Sequence, residues 1–559
     1  MNRRSFLFGT AAVLGAAGPA AALTPQVADL LIHGGPIYTG DPEQPVVEAV
    51  AVVNGRVAWV GELAAADPRI TRRIDLKGAA MFPGFTDAHA HLLGIGQREL
   101  TLNLEGTASL AAMLEKLGAW AGAHPQDRVL VGRGWIETHW PEKRFPTRGD
   151  LDRVVADRPV ILGRADGHAV VVNSAALRAA GITRDTAAPS GGEIFKDAAG
   201  EPTGMLVDAA ETLVASIIPG GTAEGLERAL DAGFRVYAGY GWTGLHNMSV
   251  GWAEVEALEA RAARGGAPIR VYNAVTPEAA SRLFARGAHA TPDGRVVTRT
   301  IKVYADGALG SRGAALFAPY ADRPETTGLM QTSAGEMVPL YERALREGVQ
   351  MTTHAIGDRG NAETLDWYER ALKAVPAARR KVADPRFRIE HAQVLRLQDI
   401  PRFKALGVIP SMQPSHAIGD LHFAPARLGD ARLDGAYAWR RLIEAGAIVP
   451  GGSDAPVERG DPLIEFYAAT ARRDLNGFQG PDWRADQAVD RETALKMFTR
   501  WPAYASFRED ELGMIRPGYR ADFSVFSVDL MKAPAADIPK GRALMTVVDG
   551  AVVYRADGW

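Results

Sequence analysis

The chain of 559 residues contains no cysteine. This absence excludes disulfides, thiolate metal ligands, iron–sulfur clusters and a cysteine nucleophile. Any bound metal must therefore be held by His, Asp, Glu or Lys side chains. A surplus of basic residues is also missing, because 63 Lys and Arg stand against 66 Asp and Glu. Nucleic acid is therefore not an expected partner, since nothing neutralises a phosphate backbone.

Long apolar runs without charges are missing beyond the first residues of the chain. Arg3-Arg4 is followed by a short apolar run at residues 8–17 and by small residues up to Ala22. This pattern predicts a twin-arginine signal peptide, residues 1–22, that directs the protein to the periplasm. A short membrane anchor is the alternative, but the run is well below the roughly 20 residues that span a bilayer. The mature protein is expected to have no membrane span.

Both ends of the remaining chain are rich in β-forming residues. Asn54-Gly55 and Asp549-Gly550 each separate two apolar, β-branched runs, which is typical of tight hairpins. We expect residues 23–80 and 505–559 to form one small β-sandwich-like domain, because the two ends of a domain often lie close together. Two unrelated caps remain the alternative.

Between these ends, short apolar runs alternate with helical patterns, which indicates an α/β fold with a parallel sheet. Eight candidate strands, the number that closes a (β/α)8 TIM-type barrel, fall within residues 81–504. The first candidate strand ends at His91, and the other seven lie at residues 243–248, 268–274, 300–305, 350–354, 386–391, 408–412 and 448–453. Residues 92–240 are too many for one crossover and predict an insertion after strand 1, such as a lid.

Metal-ligating residue types stand at the ends of these strands. His89 and His91 are two residues apart, so on a strand they point to the same side and can reach one metal ion. Lys302, His354, His391 and Asp454 follow at later strand ends. Each of these residues alone has an ordinary structural explanation, but the ordered set predicts a metal site at the carboxyl-terminal face of a barrel.

With these residues in place, the chain resembles the amidohydrolase superfamily, and most closely its family 3 branch, which includes N-substituted formamide deformylases. The resemblance covers nearly all of the chain after the signal. It rests on residues 82–91, Asp166-Gly167-His168, residues 301–312, His354, Glu390-His391 and residues 453–456.

The resemblance implies a ligand set for two divalent ions. His89, His91 and Asp454 would hold one metal, His354 and His391 the second, and a carboxylated Lys302 would bridge them. Zinc is the default metal for such an imidazole-rich hydrolytic site. A site with one metal and an unmodified Lys302 remains open.

The expected function is hydrolysis of a non-peptide C–N bond, as in an amide or formamide, with Asp454 as general base and acid. His168 has either a carbonyl-contacting or a structural role, and Trp135 and Arg312 are candidate substrate-binding residues. The expected partner is a small-molecule substrate, and homo-oligomerisation is left open. The alternatives are an esterase, a lactonase, a deaminase, or an exported metal- or solute-binding protein without catalysis.

Overall fold

The computed structural model describes residues 28–218, 222–481 and 483–559. The expected signal peptide, residues 1–22, lies outside these ranges. Within them, no helix combines the length and the apolar character that crossing a bilayer requires. Strands and helices are numbered below in chain order.

One eight-stranded sheet combines strands from both ends of the chain. Its members are β1 (Leu30–Tyr38), β2 (Val46–Val53), β3 (Arg56–Gly61), β4 (Arg73–Asp75), β5 (Ala80–Pro83), β20 (Phe523–Phe526), β21 (Ala543–Val548) and β22 (Ala551–Arg555). The order is β22-β21-β20-β5-β1-β2-β3, with β4 beside β1. The antiparallel pairing of β5 with β20 joins the two ends. Just beyond it, the Phe85 N–H donates to Ser524 Oγ at 2.9 Å, across 439 positions of sequence.

Tight turns close the two outer hairpins of this sheet. The φ angles are +49° at Asn54 and +74° at Gly55, and +49° at Asp549 and +72° at Gly550. Two successive positive φ values are what a type I′ turn requires, so Asn-Gly and Asp-Gly suit these positions. The domain boundaries expected at residues 80 and 505 stay predictions.

Seven parallel strands form the sheet of the barrel. They are β6 (Phe85–Ala90), β13 (Trp242–Val250), β14 (Arg270–Val275), β16 (Val296–Tyr304), β17 (Gln350–Ala355), β18 (Arg388–His391) and β19 (Ile409–Ser411), adjacent in this order, and the short β15 (His289–Ala290) pairs antiparallel with β16. Nearly every residue on these strands is buried, and the buried residues include polar ones such as Thr352, Thr353 and Arg388.

The eighth strand expected at 448–453 is reduced to a single bridge between Met412 and Gly451. Backbone hydrogen bonds nevertheless fill the gap: the Gly452 N–H donates to Met412 O, and the Ala88 N–H donates to Gly451 O, each at 3.0 Å. The Asp454 N–H donates to His89 O at 2.6 Å. The chain is thus a mixed α/β fold whose parallel sheet is nearly closed into a barrel.

Local sequence explains why this last segment is not a regular strand. Pro450 has no N–H to donate. A Cβ added at Gly452 would lie 2.5 Å from the His89 nitrogen, and one at Gly451 would lie 2.6 Å from the Phe498 ring. The segment therefore fits between its neighbours because it carries almost no side chain there.

Helices surround the barrel and follow its strands. They are α1 (Leu92–Leu100), α6 (Ala223–Tyr240), α7 (Trp252–Ala263), α8 (Ala280–Arg286), α9 (Ala334–Glu347), α10 (Asp358–Ala374), α11 (Ile400–Leu406), α12 (Pro414–Asp420), α13 (Ala424–Leu428), α14 (Asp430–Leu433), α15 (Trp439–Glu444), α16 (Pro462–Ala471), α17 (Arg491–Phe498) and α18 (Arg500–Ala505). α1 packs directly on α6, where a Cβ at Gly96 would lie 1.7 Å from Ala229 O.

A third sheet is formed by residues that lie between α1 and α6 in the sequence. Its strands and helices are β7 (Leu102–Asn103), α2 (Leu110–Ala123), β8 (Leu130–Trp135), α3 (Arg148–Asp152), β9 (Val160–Arg164), β10 (Ala169–Val172), α4 (Ser174–Ala179), β11 (Gly192–Lys196), β12 (Pro202–Asp208) and α5 (Thr212–Ala215). The strand order is β11-β12-β10-β9-β8-β7. This inserted sheet has an apolar core of its own and presents its opposite face to the mouth of the barrel.

Candidate metal centre

The polar strand-end residues meet at the carboxyl-terminal mouth of the barrel. His89 comes from β6, Lys302 from β16, His354 from β17 and His391 from β18, and all four are at least 96% buried. The His391 ring lies 4.9 Å from the His89 ring and 4.5 Å from the His354 ring, measured between centroids. The side chains from these four strands therefore lie close together at one end of the barrel.

Asp454 completes this cluster from the closing segment. Its Oδ1 atom lies 3.0 Å from His91 Nε2 and 3.3 Å from His89 Nε2. One ligand atom from each of His89, His391 and Asp454 lies within 4.8 Å of the other two, which is close enough for all three to hold the same ion. The six side chains expected at the site thus line the same cavity.

The backbone is unusual at two of these residues. His391 has a φ of +73° and Asp454 a φ of +60°, in the left-handed region that non-glycine residues rarely adopt. Such conformations persist only where surrounding structure holds them, and they concentrate at functional sites. At His391 the unusual φ turns the ring into the cavity at the point where β18 ends.

Hydrogen bonds on one ring nitrogen orient three of the histidines. The Nδ1 atoms of His89, His91 and His391 donate to Glu390 Oε2 (2.6 Å), Met248 O (3.1 Å) and Gln413 Oε1 (2.8 Å). This arrangement leaves Nε2 of His89 and of His391 as the lone-pair nitrogen, the form in which imidazole binds a metal, while Nε2 of His91 lies against Asp454 Oδ1. The buried Nε2 of His89 has no hydrogen-bond partner within the described chain, as expected of a ligand atom. The residues present therefore fit a divalent metal.

Glu390 is fully buried and braces this ligand shell. Its Oε1 lies 2.7 Å from the Nε atom of Arg388, which is also fully buried. Burial opposes ionisation, but the positive charge of Arg388 and the hydrogen bond from His89 hold the pKa of Glu390 well below its usual range. An ionised Glu390 fixes the His89 tautomer and increases the basicity of the ligand nitrogen.

The charge states of the other ligands also suit metal binding. Burial, together with the positive charges of nearby groups, holds the pKa values of His354 and His391 well below the usual value. Burial works against ionisation of Asp454, yet His89 and His91 hold its pKa well below the usual range. Neutral imidazoles and an ionised carboxylate are the forms that bind divalent cations.

Lys302 lies among these ligands without a fixed partner. Its side chain is buried, and Nζ lies 4.8 Å from the centroid of the Tyr304 ring. No hydrogen-bond acceptor for Nζ is found within the part of the chain that the structure describes. An ammonium is a donor only, whereas a carboxylated lysine is an anion with two oxygen ligands.

Two further buried carboxylates tie the site together. Asp87 accepts the N–H groups of His89 and Ser453 at 3.0 and 2.9 Å, which connects β6 to the closing segment. Asp306 accepts three backbone N–H groups, from Ala315, Ile356 and Gly357, at 2.8 to 2.9 Å. Burial raises the pKa of Asp87 to about 6 and that of Asp306 to about 7. Asp87 lies within residues 82–91 and Asp306 within residues 301–312, but the sequence alone did not assign a role to either residue.

A cavity of about 1320 Å³ connects the metal residues with the inserted sheet. His168 lines it, with its ring centroid 5.7 Å from that of His354. Its Nδ1 donates to Asp208 Oδ1 at 2.8 Å. Burial disfavours the charged ring, but Asp208 more than compensates and raises the pKa of His168 to about 9. His168 is therefore an imidazolium at neutral pH, with Nε2 available as a donor.

The two predicted substrate-binding residues are placed elsewhere. Trp135 is fully buried in the core of the inserted sheet, where Nε1 donates to Leu162 O at 2.8 Å. A bulge at Gly134, with φ +107°, turns it away from the face that carries Arg133. Arg312 has a φ of +66° and donates to Asp322 at 2.8 Å, outside the lining of the cavity. Neither residue therefore lines the site, contrary to expectation.

His416 also joins the site. It comes from α12, is 92% buried, and its Nε2 lies 3.7 Å from Asp454 Oδ2. Three contributors had no sequence signal that singled them out: Glu390 as a brace, Asp208 as the partner of His168, and Arg133 on the cavity wall. Their partners are distant in sequence, so only the folded chain brings them together.

Comparison with known proteins agrees with this geometry. Residues 72–554 match the model of the amidohydrolase family. The chain is 35% identical over 531 residues to a putative amidohydrolase, YtcJ, of Bacillus subtilis, covering 93% of this chain and 98% of that protein. It is 28% identical over 550 residues to the N-substituted formamide deformylase of Arthrobacter pascens, covering 95% and 99% of the two proteins.

A solved structure has the same fold over most of its length. It is an uncharacterised metal-dependent hydrolase from Pyrococcus horikoshii, 26% identical, which aligns with a TM-score of 0.73 over 90% of this chain and 99% of its own. The family match spans far more than half of the sequence and agrees with the resemblance found in the strand-end residues. The chain therefore belongs to the amidohydrolase family.

Proposed function

We propose that the protein is a metal-dependent hydrolase that cleaves a non-peptide C–N bond of the amide or formamide type. The observation that carries this proposal is the placement of the Asp454 carboxylate, 3.0 to 3.3 Å from the Nε2 atoms of two buried histidines, at the floor of a large cavity. Its similarity to a formamide deformylase over nearly the whole chain supports the choice of bond.

The metal would be zinc, held by His89, His91, His354, His391, Asp454 and a carboxylated Lys302. Four neutral imidazoles need anionic ligands to balance two divalent ions, so the modified lysine supports a pair of metals. A single ion held by His89, His91, His354 and Asp454 is the alternative. When bound, the metal lowers the pKa of water to about 7 and polarises the scissile carbonyl.

The side chains of the protein move the proton and orient the substrate. Asp454 accepts a proton from the attacking water and delivers it to the leaving nitrogen as the C–O bond forms and the C–N bond breaks. His168 donates a hydrogen bond from Nε2 to the carbonyl oxygen, where negative charge develops. Asp208 keeps His168 charged and correctly rotated for this task.

A substrate panel tests the proposed bond. We expect zinc-loaded protein to hydrolyse N-substituted formamides or amides with a higher kcat/KM than the matching esters and lactones, and metal-stripped protein to be inactive until zinc is restored. The measurements are product formation and metal content by mass spectrometry. Faster hydrolysis of esters would favour an esterase, release of ammonia from heterocycles a deaminase, and tightly bound metal without turnover a binding protein.

Replacing Lys302 tests the bridging ligand. We expect Lys302→Met to retain about one equivalent of zinc where the wild type retains about two, because the anion that neutralises the second ion is lost. Intact-protein mass spectrometry should also show carbon dioxide bound to the wild type and not to the variant. Lys373→Met, at a side chain that is 75% exposed, is the matched control. Unchanged zinc content in Lys302→Met would contradict the bridge.

A further inference from the structure

One guanidinium of the cavity wall has no ionic partner. Arg133 lies on β8 of the inserted sheet, where Val131 and Arg133 face the cavity and Leu130 and Trp135 face the core. The bulge at Gly134 places Trp135 on the face opposite to Arg133. Arg133 is thus placed by the fold on the side of the sheet that looks towards the metal residues.

A backbone carbonyl orients the guanidinium of Arg133 and leaves its other N–H donors available. Arg133 Nη2 donates to Ala165 O at 2.9 Å, and Gly167 leaves room beside it, because a Cβ there would lie 3.4 Å from Nη2. Within the described ranges, no other acceptor contacts this side chain. Its remaining donors open into the cavity, since none of them is a fully buried atom without a partner.

Arg164 and Arg98, two of the three other arginines that line the cavity, are used internally, and the third, Arg459, lies beside Tyr240. Arg164 donates to Glu137 at 2.8 Å and also pairs with Asp166. Arg98 lies 3.2 Å from Glu99 Oε1 and donates to two backbone carbonyls. By contrast, no carboxylate of the described chain lies within ion-pair distance of Arg133. Arg133 is thus a cation on the cavity wall whose charge is available to an external anion.

The neighbouring acids do not cancel this charge. Asp166 is paired with Arg164, and Asp208 with His168. The Oε1 atom of Glu211, also on the cavity wall, is buried and has no hydrogen-bond partner in the described chain. Burial raises the pKa of Glu211 to about 8. At neutral pH Glu211 is therefore mostly a neutral carboxylic acid, which offers a donor to an anion.

We propose that Arg133 binds a carboxylate of the substrate, so that the preferred substrates are amides or formamides that also carry a carboxylate. This inference rests on the proposed function. A planar guanidinium matches a carboxylate with two parallel hydrogen bonds, which gives orientation as well as affinity. One end of the substrate would be held on the inserted sheet while the scissile carbonyl lies among the barrel residues.

Paired substrates test this assignment. An N-acetyl amino acid and its uncharged C-terminal amide differ only in the carboxylate. We expect the wild type to have a KM about 10- to 100-fold lower for the acid, and Arg133→Met to remove that preference with kcat changed by less than about threefold, as loss of a charge-assisted hydrogen bond predicts. Arg133→Lys should recover part of it, because the charge remains and the planar fork is lost.

Binding measurements keep the test independent of turnover. Calorimetric titration of wild type and variants of known zinc content with the same N-acetyl amino acid and amide should show the same loss of preference. Arg184→Met, which removes an exposed arginine of the same insertion, is the matched control. If the wild type binds acid and amide equally, the inference is wrong whether or not amides are hydrolysed. If no amide is hydrolysed but the acid is bound through Arg133, the proposed function fails and the anion site stands.

Discussion

We expect Asp454→Asn to lower kcat by at least about 1,000-fold while most of the zinc stays bound, because an amide cannot act as the proton acceptor that C–N cleavage needs. The substitution is nearly isosteric, and the amide oxygen can still face His89 and His91. The measurement is kcat on an amide that the wild type hydrolyses, together with zinc content of the same preparation.

Asp537→Asn is the matched control, since this carboxylate is half exposed and, among the described residues, forms an ion pair with Lys540 alone. Activity retained in Asp454→Asn would refute the assignment of the base. Activity and zinc lost together would assign Asp454 to metal retention, and the proton acceptor would then have to be sought elsewhere.

Among the variants proposed for this protein, Glu390→Ala should cause the largest loss of stability. The variant leaves the guanidinium of Arg388 buried without its carboxylate, and we expect the free energy of unfolding to fall by about 3–5 kcal/mol. Because Glu390 also orients His89, zinc affinity should fall by about 10- to 100-fold. Denaturant unfolding of the metal-free protein and competitive zinc titration measure the two effects separately.

The double variant Arg388→Met with Glu390→Met separates these two roles. Replacing a buried ion pair by apolar side chains of similar size is often neutral for stability. We therefore expect the double variant to recover most of the stability of the wild type, but not its zinc affinity, since the acceptor for His89 Nδ1 remains absent. Recovery of both would show that Glu390 has no part in orienting the ligand.

The residues that line the candidate metal site could be grouped from the sequence because their positions follow local rules. His89 and His91 are two residues apart, and parallel strands bring their carboxyl ends to one face. The same alternation places Glu390 and His391 on opposite faces of β18. Only the φ of +73° at His391 lets both reach the site, and a single sequence does not reveal such a conformation.

Other expectations failed because a short feature changed the direction of a side chain. By simple alternation Trp135 would share a face with Arg133, but the bulge at Gly134 reverses it. Arg312 follows β16 closely, yet its ion pair with Asp322 keeps it in the loop. The dyad of His168 and Asp208 joins residues 40 positions apart, and such distant partners need the folded sheet to be seen.

The pairing of β5 with β20 has a consequence for biosynthesis. The first five strands leave the ribosome long before their C-terminal partner, because Phe85 and Ser524 are separated by 439 positions. Asp454 is also the last of the expected ligands to be made. Domains ordinarily fold during translation from the N-terminal side. Here the N-terminal strands cannot complete their sheet until β20 has been synthesised. The complete ligand set exists only after residue 454 has been synthesised, so binding of metal by the full set cannot guide the folding of the earlier strands.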